Sequence, residues 1–286
     1  MASLKAIRKR ITSVRSTQQI TKAMKMVAAS KLRRAQEAVV QSRAYAAKLR
    51  EVVAGLASEA SLREHRLVRA RTPEANVLLI VFTADRGLCG GFNANLIRQS
   101  EAFLGREGAT PSLAIVGRKG FDFYKKRAVE IREQYVGIAG RAPIEVAREL
   151  VTRAVSLFVE EEVDAVYVLY SQFRSALSQV PTIERVLPIE APGDADGQGA
   201  REYLFEPSRE AVIEDLLPRY VEVKLFQALL ESIASEHGAR MTAMDSATKN
   251  ASDMIERLTL EMNRARQATI TKELMEIVGG AEALKG

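Results

Sequence analysis

The chain of 286 residues has one cysteine, no tryptophan and two histidines. A single thiol, Cys89, excludes an internal disulfide framework and any thiol-pair metal site. No run approaches 18 consecutive apolar residues, so no segment reads as a membrane-spanning helix. His65 and His237 lie far apart with no acid–base constellation around them and read as packed or solvated residues. Residues 1–56 contain no proline, and their only glycine is Gly55. Acids are scarce there too: residues 1–50 carry thirteen Lys/Arg and one acid, Glu37. That segment is +12 in a chain of net charge +6, so the remaining residues sum to −6. Such asymmetry calls for an acidic partner, and nucleic acid, an anionic membrane and an acidic protein surface all qualify on charge alone.

Within this basic stretch a pattern recurs every three, then four, residues: Leu4, Ile7, Ile11, Val14, Gln18, Thr21, Lys25, Ala28, Leu32, Ala35, Val39, Ser42, Ala46, Leu49, Val53 and Leu56. Twelve of the sixteen positions are apolar, which is the stripe of a coiled coil. A helix over this length spans roughly 84 Å and needs a partner to bury the stripe. Three successive core positions, Gln18, Thr21 and Lys25, are polar, while Ile20, Met24 and Val27 lie on an adjoining face. A helix apolar on more than one face touches more than one partner; a local shift in stripe phase is the alternative. The segment is amphipathic and Arg-rich like a transit peptide, but its stripe runs unbroken to residue 56, so it reads as mature structure.

The partner is at the other end. From Arg219 to Val278 there is no proline and one glycine, Gly238, and the 3-4 stripe returns as Met241, Met244, Thr248, Ala251, Ile255, Leu258, Met262, Ala265 and Thr269. Sixty helical residues span roughly 90 Å. Pro218 is expected to kink or break the helix beginning near Ser208, and Gly279-Gly280 to end it. Residues 209–286 hold ten bases and thirteen acids, a net −3 that complements the basic helix.

Between the two helices the pattern is α/β. Apolar runs at 77–82, 113–116, 129–136 and 165–170 read as strands, alternating with helices from the end of the glycine-rich turn to about 106, over 121–127 and over 144–162. Val180 to Ile189 is a further β segment, and Pro181 and Pro188 argue for an edge position. The boundaries expected are a coiled-coil helix at 1–57, a connector at 58–74, a Rossmann-like α/β domain at 75–206 with a polar loop at 191–199, and a coiled-coil helix at 207–286. The simplest arrangement is an antiparallel coiled coil of the terminal helices, with the α/β domain inserted at one end of it.

Few residues invite chemistry. Gly87-Leu88-Cys89-Gly90-Gly91 follows a strand and precedes a helix, as a phosphate-binding loop does. The GxGxxG and GxxxxGK[ST] signatures are both absent, and a tight turn that lets helix and sheet approach is the favoured reading; Gly117-Arg118-Lys119-Gly120 has the same status. The run Glu160-Glu161-Glu162 lacks metal-ligand spacing and reads as a solvated helix end. No catalytic residue, cofactor or metal is expected. A basic coiled-coil protein that binds nucleic acid is the rival class. Against it, the stripe leaves little of the helix free, and no aromatic platform interleaves the bases.

Three segments carry a resemblance. Residues 20–31 (ITKAMKMVAASK), 85–91 (DRGLCGG) and 265–274 (ARQATITKEL) occur in order along the whole chain. Together they resemble the gamma-subunit family of F-type ATP synthases, bacterial type. The resemblance implies a central-shaft rotor that performs no chemistry itself and couples proton-driven rotation of a membrane ring of c subunits to conformational change in catalytic beta subunits. Its implied partners are three alpha and three beta subunits, an epsilon subunit and the c-ring, with no nucleic acid. Its implied place is peripheral, on the cytoplasmic face of the bacterial membrane. Carried over residue by residue, Met24 and Lys25 contact the beta-subunit levers, Arg266 and Gln267 contact a beta-subunit loop, and Arg240, Thr271 and Glu273 serve coupling. With Cys89 alone, the chain lacks the cysteine-bearing regulatory insert of the chloroplast type.

Overall fold

The structure is a computed structural model, and it describes residues 4–56, 62, 64–106, 108–190, 206 and 208–283. The polar loop expected at 191–199 lies outside the described residues. Ten elements are described in chain order: α1 (Leu4–Gly55), β1 (Asn76–Phe82), α2 (Phe92–Leu104), β2 (Thr110–Val116), α3 (Arg118–Tyr124), β3 (Ile131–Tyr135), α4 (Pro143–Val159), β4 (Ala165–Phe173), β5 (Gln179–Leu187) and α5 (Arg209–Ala283). The chain divides into two compact units, one formed by residues 1–27 with 241–286 and the other by residues 28–240.

In the first unit α1 and α5 pair antiparallel. Gln18 bonds Ser252, Thr21 bonds Thr248 and Lys25 bonds Asp245, so one residue number rises as its partner's falls. The stripe is the packed face: Ile7 and Ile11 on α1 are buried, as are Met244 and Ala251 on α5. Extending the register Gln18–Ser252 puts Leu4 level with about residue 266. From there no described helix pairs with α5, and every residue from Arg266 to Gly280 is exposed.

Gly279-Gly280 does not end α5, which runs on to Ala283. A terminating glycine acts by adopting positive φ. Neither glycine here does so, and each simply costs about 1 kcal/mol relative to alanine.

The second unit is a three-layer α/β domain with a five-stranded sheet of order β3-β2-β1-β4-β5. The strands are parallel except β5, which runs antiparallel to β4 on the edge. Pro181 sits on that edge strand, where a missing N–H is tolerated. The alternation of β1 divides the core: Leu78, Ile80 and Phe82 point to one face, and Val77, Leu79 and Val81 to the other. The first face is covered by α4 (Val146, Leu150, Leu157), by Val53 of α1 with the following Leu56, and by Ile213, Leu217, Val221 and Leu225 of α5. The second is covered by Phe92, Leu96 and Phe103 of α2 and by Tyr124 of α3.

This packing explains Pro218. The helix runs through it unbroken, because Leu217 and Val221 on either side are fully buried. Each buried leucine or valine contributes about 1.5–3 kcal/mol, enough to offset the roughly 3 kcal/mol a proline costs inside a helix.

Candidate functional site

The polar interval of α1 is built into the helix pair of the first unit. Gln18 Nε2 donates to Ser252 Oγ at 2.7 Å, Thr248 Oγ1 donates to Thr21 Oγ1 at 2.8 Å, and Lys25 Nζ meets Asp245 Oδ1 at 2.5 Å. Thr21 is buried, and its partner also reaches the Met244 carbonyl at 2.7 Å. The polar side chains of the interval pair with three polar residues of α5 opposite them, and the buried Thr21 hydroxyl in particular needs such a partner. Hydrogen bonds from Lys25 and Lys249 hold the Asp245 carboxyl below the ordinary carboxylate range. The outward apolar surface nearby consists of Ile20, Met26 and Val27, each more than half exposed, while Met24 is half-buried.

Arg266, Gln267, Thr271 and Glu273 lie on the bare stretch of α5, all exposed. Ile270, Leu274, Ile277 and Val278 recur on the same stretch at helical spacing, and all are exposed as well. The apolar stripe of α5 thus goes on beyond the level of Leu4, and among the described residues no bond joins these four site residues to Met24 or Lys25.

Arg240 belongs to the second unit. Its Nη1 pairs with Glu236 at 2.6 Å, and its Nη2 donates to the carbonyls of Arg86 at 3.1 Å and Gly87 at 3.2 Å. One guanidinium therefore clips the glycine-rich turn onto α5. Burial raises the Glu236 carboxyl and Arg240 opposes the rise. Burial, with Arg240 and Lys31 nearby, pushes the neighbouring His237 down to about 4. Burial also pushes the Cys89 thiol up, which keeps it protonated.

The turn itself is held by side chains that capture backbone groups. Asp85 accepts the N–H of Arg118 at 3.0 Å, of Gly137 at 2.9 Å and of Ala139 at 3.3 Å, tying together the turns after β1, β2 and β3. Asn93 Oδ1 accepts the Ala84 N–H at 2.9 Å. Thr83 Oγ1 donates to the Val116 carbonyl and accepts the Gly120 N–H, both at 2.9 Å. Gly117 has φ +96, and a Cβ there would meet the Thr83 carbonyl oxygen at 2.0 Å, so only glycine fits.

In an open α/β sheet, ligands enter where the strand order reverses, outside the carboxyl ends of the strands. Here that point lies between β1 and β4. α5 fills it: Arg240 takes the turn carbonyls after β1. Glu231 accepts the Phe173 N–H at the end of β4, Ser235 donates to the Ser171 carbonyl at 2.8 Å, and Gly238 lies against Ala176 and Phe173. The geometry defines a protein that lends its ligand crevice to its own helix. Among the described residues no helix is long and apolar enough to cross a membrane.

The ATP synthase family model matches residues 3–284. The ATP synthase gamma chain of Geotalea daltonii is 52% identical over 289 residues, and that of Pelotomaculum thermopropionicum 50% over 285, each alignment covering 100% of both chains. Among solved structures, a central stalk and c-ring assembly of Tetrahymena thermophila mitochondrial ATP synthase contains a chain 25% identical, with a TM-score of 0.59, covering 80% of this chain and 99% of that one. A chain of Euglena gracilis mitochondrial ATP synthase shares the fold, with a TM-score of 0.70 at 22% identity, covering 98% of this chain and 94% of that one. The chain belongs to the gamma-chain family of ATP synthase, the central-stalk subunit of the F1Fo enzyme.

The roles of Asp245, Ser252 and Asp85 escaped the sequence reading, and Thr248 entered it only as a stripe position. Asp245 and Ser252 each sit one residue after a stripe position (Met244 and Ala251), a signal that acquires meaning only once the antiparallel register is known. Asp85 stands in a quoted motif, but its three backbone partners are 33 to 54 residues away.

Proposed function

We propose that this chain is the non-catalytic rotating shaft of a proton-translocating ATP synthase, working inside a ring of three alpha and three beta subunits and attached through an epsilon subunit to a membrane c-ring. Proton flow turns the c-ring and the shaft with it. The asymmetric shaft drives the three beta sites in turn through states that bind ADP and phosphate, join them and release ATP. The chain is held at the cytoplasmic face of the membrane through the complex.

The observation that carries this reading is the bare stretch of α5, fifteen residues from Arg266 to Gly280, all exposed, with an apolar stripe that no described residue covers. Such a stripe calls for an apolar sleeve from other subunits. Arg266 and Gln267 stand at its start, where a guanidinium and an amide give charge-assisted and neutral hydrogen bonds to a beta-subunit loop. Thr271 and Glu273 follow one turn on and share the coupling role with Arg240, which acts by fixing the glycine-rich turn to α5. Met24 and Lys25 meet the beta-subunit levers, with the exposed Ile20 and Val27 beside them adding apolar contact.

Reconstitution with alpha and beta subunits, followed by ATP hydrolysis and ATP-driven proton pumping, tests the reading. Arg266→Ala with Gln267→Ala is expected to lower pumping per ATP hydrolysed several-fold. An unchanged ratio removes those contacts, and failure of the native chain to join the ring overturns the reading.

A further inference from the structure

A cavity of about 670 Å³ opens in the second unit among α1, the β4–β5 hairpin and α5. Its wall carries four bases, Arg43, Arg50, Arg174 and Lys224, against two carboxylates, Glu184 and Glu231. Both carboxylates are already engaged. Glu231 is 2% exposed and accepts from Arg43 Nε at 3.2 Å, Arg43 Nη2 at 3.0 Å and the Phe173 N–H at 3.3 Å. Glu184 accepts the Tyr170 hydroxyl at 2.6 Å. Among the described residues no carboxylate pairs with Arg50 or Arg174; the only bond Arg174 makes through its side chain is a long one to Gln172 Oε1. Lys224 gives one proton to the Arg185 carbonyl. Burial is the main cause that lowers its ammonium pKa, with nearby Arg50 adding to the effect against Glu184 and Glu190. The lining therefore carries two positive charges in excess, and two of its cations repel each other across space that no side chain fills.

We propose that this cavity binds a small phosphate-bearing polyanion through Arg50, Arg174 and Lys224, over a floor fixed by the Arg43–Glu231 pair. Guanidinium forks match the oxygens of a phosphate group in pairs, and an ammonium supplies a compact point charge beside them. An anion placed between Arg50 and Lys224 turns their repulsion into attraction on both sides. The volume exceeds what orthophosphate needs and suits a diphosphate or a phosphate ester, whose organic part would lie along Tyr220 and Phe173. The shaft role neither requires nor supplies this site, so the two readings stand or fall separately.

Isothermal titration of the full-length chain at physiological ionic strength tests the proposal, with pyrophosphate and ADP as separate probes. One saturable site per chain is expected. Tighter binding of pyrophosphate supports a free polyanion, and tighter binding of ADP supports an esterified one. Arg50→Ala and Arg174→Ala, both at exposed positions and checked for an unchanged thermal melt, are each expected to weaken binding at least about tenfold. Arg98→Ala, on α2 outside the cavity, should leave it unaltered. Absence of saturable binding, or equal weakening by all three variants, overturns the proposal. So does a site present in the free chain but silent in the assembled complex, which would mean that an acidic segment of a neighbouring subunit fills the cavity.

Discussion

Arg240 joins the glycine-rich turn to α5 in the second unit, because one guanidinium satisfies Glu236 and two turn carbonyls at once. Arg240→Ala leaves Glu236 buried without its counter-charge and frees the turn. The expected result is a loss of about 3 kcal/mol or more, with faster amide exchange across residues 86–91 and faster alkylation of Cys89, which is now buried. Unchanged exchange there would mean the turn holds itself. His237 gives a second test. Its folded pKa lies near 4, below the ordinary value of 6.5, so the unfolded chain takes up the proton first. Stability from this group is complete above pH 6.5 and is lost as pH falls toward 4. The expected size is at most about 3 kcal/mol. An NMR titration of the native chain should show the His237 ring neutral at pH 5, and His237→Gln should flatten the acid side of the stability profile. Gly117 is a third. Gly117→Ala drives a Cβ into the Thr83 carbonyl at positive φ, and a drop in thermal midpoint or loss of folded protein is expected.

Along the helices, α1 was readable in detail from its spacing. The residues buried on it, from Ile7 through Thr21 and Ala28 to Val53, are those of the 3-4 stripe, since a coiled-coil face is set by local periodicity alone. The strands β1 and β4 were readable for the same reason, as short apolar runs between turn signals. What local pattern could not give was pairing across long separations: Gln18 with Ser252, Arg43 with Glu231, Arg240 with Arg86. Breakers misled for the complementary reason. Pro218 and Gly279-Gly280 carry fixed local penalties, and the packing of Leu217 and Val221 outweighs the first. The three polar pairs between the helices of the first unit make a prediction of their own. Polar residues at core positions fix register and orientation at a cost in stability. Thr21→Val with Thr248→Val should therefore raise the thermal midpoint while loosening the antiparallel register, measured by disulfide trapping between cysteines introduced at positions 14 and 255. A midpoint that falls would show that the hydroxyl pair is a net stabiliser.

At the scale of the whole molecule, the family is legible in three separated sequence segments, and the fold supplies what they do. The segment at 20–31 enters the polar layers of the helix pair, the segment at 85–91 is the turn clipped by Arg240, and the segment at 265–274 opens the uncovered stretch of α5. The roles proposed for Arg266, Gln267, Thr271 and Glu273 follow from family resemblance and exposure together. The central claim is that this chain turns while the ring around it works. A probe on a single cysteine introduced at Leu177, which is 82% exposed at the β4–β5 hairpin, in a Cys89→Ala background, reports it directly. With the alpha–beta ring immobilised and ATP supplied, the probe should rotate in one direction, pausing three times per turn as each of the three beta subunits fires. Sustained ATP hydrolysis by the same assembled complexes, with the probe stationary, would contradict the account.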